Sequence, residues 1–116
     1  MLKIVPIEHN YEYIPDKNDI INVVLFCDIN EEKQYDLVLF WISFMEILLK
    51  RINIDNVKID YETNINRQEN KYHLSQNPTI RIMSQKYCLE YDDIDLDSDQ
   101  WSNLATIIMD GIKQLK

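Results

Sequence analysis

Between Ile20 and Ile29 the chain reads IINVVLFCDI, and the odd positions Ile21, Val23, Leu25, Cys27 and Ile29 are all apolar. A period of two with β-branched residues predicts a strand whose odd face enters a core. Further on, VKIDYET sets Val57, Ile59 and Tyr61 against Lys58, Asp60 and Glu62, the alternation of a strand with one wet face. At the start, LKIVPI predicts a short strand that Pro6 confines to an edge or an end. TIRIMS and KYCLEY read as a hairpin, and KYHL as a further short strand with Asn77-Pro78 as the turn after it. The segments 9–19 and 64–70 are polar and turn-rich and read as connections.

Two stretches follow the helical period instead. Asn30 is placed to cap a helix running to about Ile52, with Glu31 and Glu32 in its first turn and Lys50 and Arg51 in its last. Both charge placements favour the helix dipole. From Leu37 to Leu49 only Ser43 and Glu46 interrupt the apolar run. Asp36, Ser43, Glu46, Lys50 and Asn53 form one polar stripe, covering about a quarter to a third of the circumference. The run is shorter than the ~20 residues of a membrane span. Such a helix is either wrapped on several sides or shows an apolar strip to a partner or a second copy. Near the C-terminus, Trp101, Leu104, Ala105, Ile108, Ile112 and Leu115 mark a core-facing helical stripe. Asp97 with Gln100 has a capping-box spacing, and Leu96 with Trp101 that of a hydrophobic staple. These elements predict a single α+β domain over residues 1–116: a mainly antiparallel sheet of four to six strands, a long apolar helix after the second strand, and a C-terminal helix.

The net charge of -8, from 20 acidic and 12 basic side chains, narrows the functional classes. An acidic surface disfavours direct contact with nucleic acid or anionic lipid and raises encounter rates with basic partners. Gly111 is the only glycine. Phosphate-cradling loops need glycine for close backbone approach, so neither a Walker loop nor a dinucleotide fingerprint is present. The opening Met1-Leu2-Lys3 lacks the charged and apolar regions of a secretory signal. Cys27 and Cys88 both sit in apolar runs, as buried free thiols do. A cytoplasmic location is the expectation.

Acidic residues concentrate in EYDDIDLDSDQ, Glu90 to Gln100. Apolar positions switch from odd (Leu89, Tyr91) to even (Ile94, Leu96), which predicts a kink at Asp92-Asp93. Asp93, Asp95, Asp97 and Asp99 alternate like calcium ligands. Ser98 then stands where the loop needs glycine, and Leu104 where a closing glutamate belongs. No metal or other cofactor is expected. Pro15-Asp16 followed by Glu31-Glu32-Lys33 resembles the carboxylate-lysine pattern of restriction-type nucleases, but the second part opens a helix rather than lying on a core strand. His9 and His73 have no zinc spacing, and neither cysteine has an evident activating feature. No catalytic set emerges, and the chain is expected not to be an enzyme.

The remaining expectation is binding. Glu90, Tyr91, Asp92, Asp93 and Asp95 form a candidate patch in which charge sets encounter and an aromatic supplies contact area. In size, charge and element order the chain resembles the immunity proteins of bacterial polymorphic-toxin and contact-dependent inhibition systems. That resemblance implies a basic protein partner, a toxin nuclease domain, neutralised by occlusion of its cleft. It rests on no diagnostic motif, so it assigns no residue a role. Two alternatives are a phage-encoded inhibitor or nucleic-acid mimic acting on a host defence protein, and an accessory domain that forms a homodimer through the Leu37–Leu49 helix.

Overall fold

The apolar run at Ile21–Phe26 becomes the second strand, β2, and lies inside an open five-stranded sheet. In a computed structural model of the chain, residues 2–52, 55–63, 71–74, 78–95 and 101–116 are described, the side chains of Ile52 and Trp101 excepted. The elements run β1 (Lys3–Val5), a 3-10 turn (Ile7–Asn10), β2, α1 (Glu32–Ile52), β3 (Val57–Glu62), β4 (Thr79–Met83), β5 (Cys88–Tyr91) and α2 (Trp101–Leu115). Spatial order is β1-β5-β4-β2-β3. Every neighbouring pair is antiparallel except β2 with β3, which are parallel across the α1 connection. The α+β class, the long helix after the second strand and the C-terminal helix agree with the sequence. Pro6 ends β1, which is an edge strand, as a residue without an N–H requires.

Strand register sorts the side chains into two faces. Ile21, Val23, Leu25 and Cys27 join Ile80, Ile82, Leu89 and Tyr91 in a core covered by α1 and α2. Leu37, Val38, Trp41, Met45 and Leu48 come from α1, and Leu104, Ile108 and Ile112 from α2. The Trp41 indole N–H donates to the Asp60 carbonyl at 3.1 Å and pins α1 to β3. On the opposite face a smaller cluster gathers Val24, Phe26, Tyr72, Met83 and Cys88, with Ile7, Tyr13 and Leu74 packed on it. β2 is therefore covered on both sides. Its even positions Val24 and Phe26 are buried, while Ile29 lies beyond the strand and is exposed, unlike the core position expected for it.

Three local expectations need correcting. Asn30 does not cap α1. The Asp28 carboxylate accepts its N–H at 3.0 Å, a local turn that moves the helix start to Glu32. Gln34 completes this corner, accepting the Asp28 N–H at 2.7 Å and donating to Glu31 at 2.6 Å. The KYHL segment is not a strand. His73 has φ 53°, left-handed backbone that breaks a ladder, and the Tyr72 and His73 carbonyls turn toward Arg81. Finally, α1 is not wrapped on several sides. Tyr35, Leu39, Phe40, Ile42 and Ile47 are each about half exposed. The capping box and staple expected at 96–101 lie outside the described residues, as does the connection 64–70.

Candidate functional site

Topology gathers carboxylates at one end of the sheet. Tyr91, Ile80, Leu25 and Tyr61 lie in one row across β5, β4, β2 and β3. The chain beyond Tyr91 and the chain beyond β2 thus leave from the same end, two strands or about 10 Å apart. The first carries Asp92, Asp93 and Asp95; the second carries Asp28, Glu31 and Glu32 into the start of α1. Glu62, the last residue of β3, belongs to the same end. Basic residues Lys50 and Arg51 close α1 at the other end of the sheet, and the Lys116 ammonium donates to the Asp55 carbonyl there at 3.2 Å. Lys86 occupies the β4–β5 turn at that end too. Part of the asymmetry serves the fold, because Glu32 sits in the first turn of α1, where the positive end of the helix dipole favours it.

The five residues of the candidate patch divide between surface and interior. Asp93 and Asp95 are exposed and Asp92 is half buried, its carboxylate taking the Lys3 ammonium at 2.8 Å. The chain leaves regular strand geometry after Tyr91, where the apolar phase shifts. Glu90 and Tyr91 do not share that surface. Tyr91 is buried in the helix-covered core. Glu90 is 3% exposed and forms an ion pair with Arg81, itself 1% exposed, at 2.9 Å. Its second oxygen lies 3.3 Å from Lys3.

Arg81 is the centre of a buried polar network on the face opposite the helices. Its guanidinium donates to Glu90, to the Asn10 side-chain oxygen at 2.8 Å, to the Tyr72 carbonyl at 2.7 Å and to the His73 carbonyl at 3.4 Å. It also lies over the Phe26 ring at 5.4 Å. Tyr72 donates to Glu12 at 2.8 Å and Tyr13 to Glu62 at 2.7 Å. Burial first, then these carboxylates, pushes both phenols well above their ordinary range. Lys71 pairs with Glu12, which holds that carboxyl below its usual range, with the Tyr72 hydroxyl assisting. His9 stacks on His73, ring centres 3.9 Å apart. The network satisfies its own donors and acceptors and anchors the segment 7–13 and the turn 71–74 over the sheet.

The catalytic patterns considered from sequence are not assembled by the fold. Asp16 borders a shallow cleft of about 510 Å³ with Glu12, Asn22, Lys58 and Asp60. Glu31 follows Asp28 at the far end of β2, about 15–20 Å of extended strand from Asn22. Cys88 lies against the Asn10 amide at 3.4 Å. Burial pushes both thiols up to about 12, so neither is a thiolate at neutral pH. Cys27 and Cys88 belong to opposite faces of the sheet and are unpaired. Among the described residues no group of three or more His, Cys, Asp or Glu side chains is arranged to hold a metal, and no helix is long and apolar enough to cross a membrane.

Fold and site together define a small acidic α+β domain with a carboxylate-rich sheet end. Compared with models of known protein families the chain matches none, and no curated protein matches it.

Proposed function

We propose that the chain is a non-catalytic binding protein that docks its acidic sheet end on a basic protein surface, as an immunity protein occluding the cleft of a cognate toxin, a nuclease domain above all. The observation that supports this reading is the convergence of exposed Glu31, Glu32, Asp93 and Asp95, with half-buried Asp92, on one end of the sheet. Clustered like charge raises the local potential and steers an oppositely charged partner into register. Glu90 and Tyr91 act in this scheme as the packed floor beneath the acidic segment, not as contacts.

The test uses a basic toxin nuclease domain, taken from a neighbouring reading frame where one encodes it. Asp93→Lys with Asp95→Lys leaves the buried Arg81–Glu90 pair untouched. The double variant is expected to remain folded and to associate roughly ten- to a hundredfold more slowly at low salt, with a weaker salt dependence. A complex that forms at an unchanged rate would remove the acidic end from the interface. No complex, and no inhibition of the toxin by the unmodified chain, would overturn the reading itself.

A further inference from the structure

The outward face of α1 is not randomly apolar. Among its exposed residues, Asp36, Leu39, Phe40, Ser43, Ile47 and Lys50 share one seam, flanked by Tyr35, Ile42 and Glu46, at the spacing of helix-to-helix contacts. That seam is self-complementary when reversed about Ser43. Asp36 stands seven residues before Ser43 and Lys50 seven after; Leu39 stands four before and Ile47 four after. A two-fold axis through Ser43 therefore sets Asp36 of each copy opposite Lys50 of the other, about 10 Å to either side of the axis. The same axis sets Leu39 opposite Ile47 and Phe40 opposite Glu46, whose methylene stem lies against the ring while its carboxylate stays in water, and it meets itself at a small side chain that lets the helices approach closely.

We propose that α1 is a homodimer interface in which two copies pair antiparallel about Ser43. Leu39, Phe40, Ile47 and their neighbours Tyr35 and Ile42 are 46–59% exposed. Together they present on the order of 500 Å² of apolar surface per copy, high in the roughly 300–600 Å² range of a monomer's largest patch. With the flanking charged side chains the seam approaches the ~800 Å² that each partner brings to a stable interface. Among the described residues Lys50 meets the Glu46 carboxylate at 3.8 Å with both groups well exposed, a contact that leaves it available across the axis. A like-charged partner helix would not match both ends of this seam; the seam's own reverse does. The proposal does not rest on the toxin contact, which uses the end of the sheet.

Sedimentation and light scattering of the purified chain, from micromolar to near-millimolar, read the self-association. The unmodified chain is expected to dimerise in that range, and Leu39→Glu with Ile47→Glu to stay monomeric with an unchanged far-ultraviolet dichroism spectrum. Asp36→Lys alone or Lys50→Asp alone is expected to weaken the dimer roughly tenfold, and the two together to restore it, because the swapped pairs attract again. Ser43→Cys is expected to cross-link into a covalent dimer under mild oxidant, since the native thiols are buried. A chain that stays monomeric throughout overturns the proposal, as does a dimer in which the double charge swap fails to rescue the singles. So does an α1 face that becomes protected only when a basic protein partner is added.

Discussion

Removing Glu90 tests whether the acidic segment begins at the surface or inside the fold. In Glu90→Ala the Arg81 guanidinium loses the carboxylate it pairs with at a position 1% exposed. Neutral acceptors remain in Asn10 and the Tyr72 carbonyl. Breaking one side of a buried pair costs about 3–5 kcal/mol, because the surviving charge stays desolvated. Against a total of about 5–15 kcal/mol for a domain this is a large share of stability. Arg81→Met is expected to cost a similar amount for a different reason. Glu90 keeps Lys3 at 3.3 Å, but the Asn10 oxygen and the Tyr72 carbonyl lose their donor, at about 1–3 kcal/mol each. The double variant Arg81→Met with Glu90→Ala removes both charges and should cost less than the sum of the singles, by roughly 3 kcal/mol or more. Urea unfolding followed by tryptophan fluorescence gives all three values. If Glu90→Ala costs under about 1 kcal/mol, or the two singles add, the pair is hydrated and the network is not a buried one. The same variant separates roles: a contact residue would lose partner binding with stability intact, whereas Glu90 should lose stability first.

Gly111 lies on the buried side of α2, and a Cβ there would overlap Cδ1 of Ile82 and sit 3.3 Å from Cδ1 of Leu2. Gly111→Ala is expected to cost about 1–3 kcal/mol despite the better helix propensity of alanine; adding Ile82→Val, which deletes the offending methyl, should recover most of that, and an unfolding midpoint that ignores the second change would refute the clash. Burial, and then His73 and Arg81, hold the His9 imidazole below its ordinary value of 6.5, with Glu8 opposing. The folded state therefore binds that proton less readily than the unfolded chain, so this contribution is complete above the ordinary value and is lost as pH falls below it. Urea midpoints measured from about pH 7 to about pH 5 should decline more steeply for the native chain than for His9→Asn, and parallel curves would show that His9 is hydrated when folded.

Much of the fold is written locally. Alternation marks β2 and β3, Pro6 fixes β1 at an edge, the apolar phase shift after Tyr91 marks the end of β5, and apolar period marks both helices. What escapes local reading is whatever depends on which segments meet. The parallel β2–β3 pair needs the α1 crossover, and nothing in VKIDYE alone distinguishes it from an antiparallel neighbour. In TIRIM a central arginine reads as a solvated face. It is buried because segment 7–13 and the turn at Tyr72 close over that face, and no period of two encodes this. A signal was nevertheless present. Pairing the β4–β5 hairpin symmetrically across its turn sets Arg81 directly opposite Glu90, and opposite charges at one register position point to a cross-strand pair before they point to two surface charges. The convergence of Asp93 with Glu31 was likewise hidden, since it follows from strand order and not from sequence distance.

The two proposed surfaces cannot be indifferent to each other. α1 is about 30 Å long and runs from the carboxylate-rich end of the sheet to the end where Lys50, Arg51, Lys86 and Lys116 outnumber Asp19 and Asp55. An antiparallel pair therefore lays Lys50 and Arg51 of one copy beside Glu32 and Asp36 of the other. The carboxylates on the β5 side, Asp93 and Asp95, stand off from that junction by two strand spacings or more, on the order of the ~8 Å over which salt screens charge at physiological strength. They keep most of their field in the dimer, while Glu31 and Glu32 lose part of theirs. A basic protein should thus meet the monomer faster than it meets a protomer of the dimer. The Leu39→Glu, Ile47→Glu chain adds acid of its own, so the comparison that isolates the effect is dilution of the native protein across its dimer midpoint. Per-protomer association with a basic protein at low salt should quicken on dilution by a few-fold and lose that dependence as salt is raised. Rates that do not vary with protomer concentration, in a chain shown to dimerise, would mean that the pairing leaves the acidic end electrostatically untouched and that the helices do not meet in the antiparallel sense.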